Sequence, residues 1–296
     1  MSADSPSPAV TVVVPTRDRP ATLARCLAAL ARQRAVALEI VVVDDASVDG
    51  AAVAAAVRRA APAALLVRGT GKGPAAARNL GVRAARGEIV CITDDDCAPD
   101  PDWAGRLVAA CAGGAAAAGT TLADPVAGPT VVAAQLLTNV LQRASLEPGS
   151  SVLGFAPSCN IACPTELARR LPFDDSFPHA AGEDRDWCAR LQRSGVALRF
   201  VPAATVTHRP RLGICGFVRQ QCRYGRGALR YRGAGDARRL AGPSFYARLA
   251  REAAASGLAV AALVALAQAA VLAGALLELC ARGAGRSRSG DEQRLA

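Results

Sequence analysis

The chain has 296 residues, a formal net charge of +10, 51% hydrophobic residues and 20% charged residues. This composition excludes a disordered chain and allows one sizeable core, or one large domain with an appendage. The charge first suggests nucleic acid, but eleven Arg against the single acid Asp236 between Arg209 and Arg251 account for the whole surplus. One basic segment beside a C-terminal apolar run suits an anionic membrane surface at least as well as DNA, so nucleic acid is not the expected partner.

Residues 1–9 have neither a basic nor an apolar stretch and read as a disordered N-terminus without a signal peptide. Val10 to Val14 is a β-branched run that reads as a buried strand ended by Pro15. Residues 20–34 form a helical pattern with Leu23, Cys26, Leu27 and Leu30 on one face. Glu39 to Val43 is a second buried strand, stopping at Asp44-Asp45, and Asp49 to Ala61 is helical. Leu65 to Val67 reads as a third strand, Gly69 to Gly73 as a turn, and Pro74 to Ala85 as a helix. Glu88 to Thr93 is a fourth strand, closed by Asp94-Asp95-Asp96. Strands alternating with helices of this length imply an α/β fold with a parallel sheet, whose ligands bind at the carboxyl ends of the strands.

The second half is less regular. Val131 to Ala144 is amphipathic and helical, and Phe155 to Cys163 reads as extended. Glu183 to Ser194 is helical with Trp187 and Leu191 inward, and Ala197 to Val206 is strand-like. We therefore expect a catalytic domain over 10–210, a basic helical segment over 211–252, an apolar helix over 253–281 and a disordered tail over 282–296. Residues 257–277 carry no charge, which is length enough to span a ~30 Å hydrocarbon layer. A membrane anchor, spanning or interfacial, is weighed there against a buried soluble helix. The ten Cys show no CxxC spacing, and several fall in apolar runs, so they read as reduced core thiols rather than disulfides or a zinc site.

Three adjacent carboxylates at a strand end repel one another unless a cation sits among them. Asp94, Asp95 and Asp96 therefore point to Mg²⁺ or Mn²⁺ shared with substrate phosphates, against the alternative of a solvated acidic turn. Asp44-Asp45 with Ser47 closes another strand, and either accepts hydrogen bonds from a base or ribose or makes an Asx turn. Arg78, in GPAAARNLG, either meets a diphosphate or is an ordinary helix Arg. Glu183, Asp184 and Asp186 in a first helical turn either favour the helix dipole or supply a general base. His208 is either a metal ligand or a surface histidine.

In this order, VVVPTRDRP, VVVDDAS, GPAAARNLG, EIVCITDDDC, GEDRDWCARLQRSG and FVPAATVTH resemble the successive motifs of family 2 glycosyltransferases. FDDSFPHAAGEDRDW, with Phe173 and Asp174 ahead of the acidic helix, adds to the resemblance, which covers roughly 10–210. It implies a GT-A-type fold with a mixed, mostly parallel sheet flanked by helices, and an inverting, divalent-metal-dependent transfer from a nucleotide sugar, UDP-linked by family habit. It implies that Pro15 and Thr16 line the nucleotide pocket, that Asp44, with Asp45, accepts from the base, and that Arg78 lies near the nucleotide. Asp94 and Asp96 take the DxD positions, with Asp94 and Asp95 on the donor and Asp96 and His208 on the metal. Asp184 takes the place of the catalytic base. The family usually has Asn where Asp18 stands. Gln220 to Tyr224 resembles the QxxRW of processive synthases with Tyr for Trp and without their channel helices, which argues against a polymerase. The acceptor is a glycan, a lipid-linked sugar, a peptide or a small molecule, and the catalytic domain is expected in the cytoplasm at the inner face of the cell membrane. A nucleotidyltransferase acting on sugar phosphates and a non-catalytic nucleotide- or membrane-binding scaffold are the alternatives.

Overall fold

The computed structural model describes residues 9–34, 36–177, 181–233 and 242–292. Most of the expected N-terminal tail, residues 1–8, lies outside them, as do 293–296 and 234–241 of the basic segment. The chain divides into two compact units, one comprising Met1–Ala127 and Thr138–Pro210, the other Gly128–Leu137 and Arg211–Ala296.

The first unit opens with alternating strands and helices: β1 Val10–Thr16, α1 Pro20–Leu30, β2 Leu38–Asp44, α2 Gly50–Ala60, β3 Leu65–Arg68, α3 Pro74–Ala84 and β4 Ile89–Ile92. It continues with β5 Cys97–Pro99, α4 Trp103–Ala110, β6 Ala116–Ala123 and α5 Pro129–Ala144, of which Thr138 onward belongs here. β7 Ile161–Pro164, α6 Thr165–Arg170, α7 Glu183–Arg193 and β8 Leu198–His208 complete it. The strands form one mixed sheet in the order β3-β2-β1-β4-β7-β6-β8-β5. β3, β2, β1 and β4 run parallel, as does the β6–β8 pair, while β7 is antiparallel to both its neighbours and β5 to β8.

The valines of β1, β2 and β4 are buried on both faces of the sheet, as strands covered by helices on each side require. β1 runs on through Pro15 to Thr16 instead of ending at Pro15. A proline fits there because β4 pairs only as far as Val13, leaving the donor side of Pro15 without a ladder partner to lose. Gly81 seats α3 against β1, since a Cβ there would come 2.3 Å from Val13 Cγ1. Phe155 to Cys163, expected to be extended, makes a 3₁₀ turn at Ser158–Asn160 and pairs only from Ile161. The turn serves Asn160, which accepts from Trp103 Nε1 at 2.8 Å and donates to the carbonyls of Thr120 (3.0 Å) and Ala204 (3.2 Å). Strands β5 and β6 and helix α4 are not visible in the sequence pattern.

In the second unit, α8 Ile214–Gly233 packs on α10 Leu258–Glu292, with α9 Pro243–Ala255 between them in sequence. Backbones nearly touch: a Cβ on Gly225 would lie 1.9 Å from the Val271 carbonyl oxygen, and one on Gly274 equally close to that of Cys222. Arg226 Nε and Arg230 Nε hold the buried Glu278 carboxylate at 3.1 and 2.9 Å. The apolar helix begins at Leu258, not 253, because Gly257, at φ +100°, breaks it from α9. The tail expected to be disordered from 282 is helical to Glu292, each further residue adding one hydrogen bond to a helix already nucleated. Leu258–Ala281, with mean hydropathy 2.3, is long and apolar enough to cross a membrane by length and composition alone.

Candidate active site

The carboxyl ends of β1, β2 and β4 lie side by side, because Thr16 pairs with Asp44 in register and β4 ends just before Asp94. Asp45 N–H donates to the Thr16 carbonyl at 2.9 Å, and Thr16 Oγ1 donates to Asp95 Oδ2 at 2.6 Å. The two acidic strand ends are thus joined through one threonine.

Asp44 and Asp45 shape loops. Asp44 accepts Ser47 N–H at 2.9 Å on one oxygen and pairs with Arg68 on the other, while Arg68 Nη2 reaches the Ser47 carbonyl at 2.7 Å. Asp45 accepts the N–H groups of Gly71 (2.9 Å) and Gly73 (2.8 Å), fixing the glycine turn ahead of α3. Each carboxylate oxygen keeps a second lone pair for a ligand. Asp18 has φ +55°, a left-handed conformation that Asp and Asn tolerate better than other side-chain-bearing residues. It is held there by Ser47 Oγ accepting its N–H at 2.8 Å and by its own carboxylate accepting Val48 N–H at 2.7 Å. The exchange of Asn for Asp at this position therefore preserves the turn.

The three acids after β4 take different partners. Asp96 Oδ1 lies 3.3 Å from His208 Nε2, and its Oδ2 is 2.9 Å from Arg19 Nη1. The antiparallel β5–β8 pairing, with Cys97 opposite His208, sets this meeting. Asp95 is fully buried and 2.8 Å from Arg19 Nη2. Burial pushes its carboxyl up to about 7, against the pull of Arg19 and the Thr16 hydrogen bond. Burial also disfavours the charged forms of Asp96 and His208, but their mutual hydrogen bond and charge win. Asp96 is held below the usual carboxylate range and His208 is raised to about 9.

Asp94 faces the opposite way, toward α3. Arg78 Nη2 is 3.0 Å from Asp94 Oδ1 and Arg78 Nη1 is 3.1 Å from Glu183 Oε1. Arg78 is buried, its guanidinium 5.7 Å from the Phe173 ring centroid. Asn79 next to it both donates to Phe173 O and accepts from Phe173 N, each at 2.8 Å. Phe173 in turn stacks on Trp187 of α7 at 5.5 Å. Gly182, at φ +102°, turns the chain into α7 so that Glu183 and Asp184 come first on the helix. Asp184 accepts Arg185 N–H at 2.8 Å. Burial, then the charge of Glu183, push its carboxyl up to about 7, with Arg185 and Arg78 opposing.

Thus Thr16, Asp44, Asp45, Asp95, Asp96 and His208 belong to one chain of contacts with Arg19, and Pro15 sits within β1 beside them, while Arg78 joins Asp94 to Glu183 in a second group and Asp184 follows Glu183 on α7. Sequence reasoning missed Arg19 and Arg68 as participants and gave Glu183 only as one acid of the first turn of α7, not as the partner of Arg78. Arg19 and Glu183 stood in the quoted TRDRP and GEDRD, but only tertiary pairing reveals what they touch. The Asp96 carboxylate is a hard oxygen donor suited to Mg²⁺ or Mn²⁺, and the His208 imidazole, a borderline nitrogen donor, could share such an ion with phosphate and water oxygens. Cys97 Sγ belongs to the same group of donor atoms, all within 4.8 Å of one another. A hydrogen bond with Cys159, together with burial, lifts the Cys97 thiol well above its ordinary range, and a soft sulfur is a poor match for so hard an ion. The described cysteines are all free, and those of the first unit are buried.

Residues 11–145 match the model of glycosyl transferase family 2, and residues 89–281 match that of glycosyl transferase family group 2. The pre-mycofactocin glycosyltransferase of Mycobacterium tuberculosis is 31% identical over 73% of this chain and 46% of its own length. The chain thus spans about half of that relative. Glycosyltransferase AglE of Haloferax volcanii is 26% identical over 75% of this chain and 73% of its own. Among solved structures, the mannosyltransferase PcManGT of Pyrobaculum calidifontis, in complex with GDP-Man and Mn²⁺, superposes with a TM-score of 0.61 at 24% identity, covering 92% of this chain and 87% of that one. TarS of S. aureus in complex with UDP gives 0.52 at 17% identity, over 74% and 65%. The fold is of the GT-A type. With family models covering the acidic strand ends, His208 and both halves of the sheet, the chain belongs to glycosyltransferase family 2.

Proposed function

We propose that this protein transfers a sugar from a nucleoside-diphosphate sugar, UDP-linked in the preferred form, to an acceptor hydroxyl, with inversion and with a divalent metal ion. One observation carries the reading: of the acids that follow β4, Asp96 meets His208 at the end of β8, and Asp94 is tied through Arg78 to Glu183, the residue before Asp184 at the start of α7. Family membership and the nucleotide complexes of the two solved relatives support it.

In this mechanism Pro15, Thr16, Asp44 and Asp45 line the nucleotide side, and Asp94 and Asp95 face the donor, with Arg78 holding Asp94 in place. Asp96 and His208 would hold Mg²⁺ or Mn²⁺, which offsets the charge of the leaving diphosphate. Asp184, as general base, takes the proton of the acceptor hydroxyl while its oxygen attacks the anomeric carbon from the face opposite the leaving group. One displacement inverts that centre. The raised carboxyl of Asp184 suits a base working near neutrality. The apolar helix Leu258–Ala281 and the Arg-rich α8 support association with the inner face of the cell membrane, and the acceptor is a glycan, a lipid-linked sugar, a peptide or a small molecule.

A thermal-shift series with nucleotides and nucleotide sugars, each with and without Mn²⁺, tests the reading. Stabilisation that needs one nucleoside diphosphate together with metal is expected. A flat response across the panel, with no donor consumed, refutes it.

A further inference from the structure

Arg78 and Glu183 are 105 residues apart in sequence, yet their side chains meet in the interior, each about 4% exposed. A guanidinium buried this deeply needs compensating charge, and here its two Nη groups divide between two acids on different elements. Asp94 is at the end of β4, on the donor side. Glu183 begins α7, immediately before Asp184. The fork thus ties the strand that faces the donor to the helix turn that carries the base. Beneath it, Phe173 is clamped by Asn79 and stacked on Trp187, which fixes α3 against α7. The arrangement leaves Glu183 Oε2 and Arg78 Nε buried without a hydrogen-bond partner. Most buried side-chain oxygens have a partner in the protein. Glu183 Oε2 instead has none, one residue before Asp184.

We propose that Glu183 is a positioning residue of the base: with Arg78 it fixes the first turn of α7 against the end of β4 and sets the basicity of Asp184. The inference rests on the reading of Asp184 as general base. Among the described residues, the charged and titratable groups that act on Asp184 include Glu183, Arg185 and Cys188 on its own helix and Arg78 from α3. Arg185 also lies over the Phe155 ring at 5.4 Å. Glu183 and Arg78 therefore form a buried couple of opposite sign, and removing either one moves Asp184 in the opposite direction to removing the other.

The test is carboxyl-¹³C NMR titration of the full chain labelled at Asp, with the Asp184 signal identified by its loss in Asp184→Asn. Glu183→Gln is expected to lower the Asp184 midpoint by roughly one pH unit, the scale of a single neighbouring charge, and Arg78→Met to raise it. The double variant Arg78→Met, Glu183→Gln, which leaves no unpaired charge between these two positions, falls between the single variants. Should Arg78→Met not fold, Glu183→Gln and the double variant still decide. An unmoved or raised midpoint in Glu183→Gln, or a double variant titrating like Glu183→Gln alone, overturns the proposal. The pH profile of donor turnover follows: its acid limb moves to lower pH in Glu183→Gln with the donor KM unchanged. A wild-type chain that consumes no donor refutes the base assignment and leaves the three titrations readable. A working transferase whose variants all titrate alike refutes only the role of Glu183.

Discussion

Asp96 Oδ1 and His208 Nε2 lie 3.3 Å apart, one just past β4 and the other at the last position of β8. This single contact brings the end of β8 to the acids that follow β4 at the proposed metal site, where His208 is held in register by Cys97 of β5 on one side and Ala123 of β6 on the other. His208→Ala keeps the fold, since the side chain is partly exposed, and is expected to weaken Mn²⁺ activation by at least about tenfold, the lower end of what even indirect metal partners cost. Asp96→Ala is expected to weaken it further. Mn²⁺ titration of donor turnover, with direct Mn²⁺ binding followed by electron paramagnetic resonance, checks both, and unchanged metal dependence in His208→Ala removes it from the ligand set.

The proposed base has its own signature. Asp184 must be ionised to take a proton, and its carboxyl is raised to about 7. kcat/KM is therefore expected to be flat above about pH 7 and to fall tenfold per unit below it. Asp184→Asn is expected to lower kcat by about 10²–10⁴-fold. The same shift carries a stability cost of known sign. A carboxyl whose folded value lies above its unfolded value favours the folded state at low pH, and that advantage is lost as pH rises through the folded value. Asp184→Asn should thus raise Tm at pH 8 while abolishing turnover. A variant that loses turnover and is also less stable at that pH would mean that Asp184 is held for structure.

How much of this was legible beforehand follows from where the information lies. β1, β2 and β4 are short apolar runs rich in β-branched residues, and acids follow β2 and β4, so these strands and the acids at their ends could be read residue by residue. β6, Ala116–Ala123, could not: alanine favours neither strand nor the alternating pattern of a half-buried one, and its close approach at Gly119 to the Ala204 carbonyl appears only in three dimensions. β5 has three residues and no periodicity at all. The partners of the acids, Arg19, Arg68 and Arg78, were visible as arginines, but in a chain so rich in Arg nothing local separates a buried fork from a solvated one. The mixed sheet, with β7 inserted antiparallel between β4 and β6, was legible only through the family resemblance.

Asn79 offers a test of the scaffold beneath the base. Both polar ends of its amide engage the backbone of Phe173 at 2.8 Å. Asn79→Asp keeps the acceptor but turns the donor into a second oxygen facing the Phe173 carbonyl. It is expected to cost about 1–3 kcal/mol in chemical denaturation, the range for a buried group left unsatisfied. Phe173 then loses its seat under Arg78, so kcat is expected to fall with KM for the donor nearly constant. Equal stability of variant and wild type would show that the loop is held by other contacts.

The second unit depends on small residues at the α8–α10 contact. A Cβ at Gly225 or Gly274 would meet a carbonyl oxygen of the opposite helix at 1.9 Å, and backbone cannot swing aside as a side chain can. Gly274→Leu is therefore expected to force the helices apart and to separate Arg226 and Arg230 from Glu278, leaving a carboxylate that is now buried without its cations. Overpacking alone costs about 1–3 kcal/mol, and a stranded buried charge adds to it. Leu272→Ala, on the exposed side of the same helix, removes apolar area without touching the contact and should leave the pair intact. Limited proteolysis of both variants in detergent and on vesicles distinguishes them: rapid cutting of Gly274→Leu between α8 and α10 with Leu272→Ala resistant is the expected pattern. Equal resistance of the two would mean that the close approach at Gly274 contributes nothing to holding the helices together.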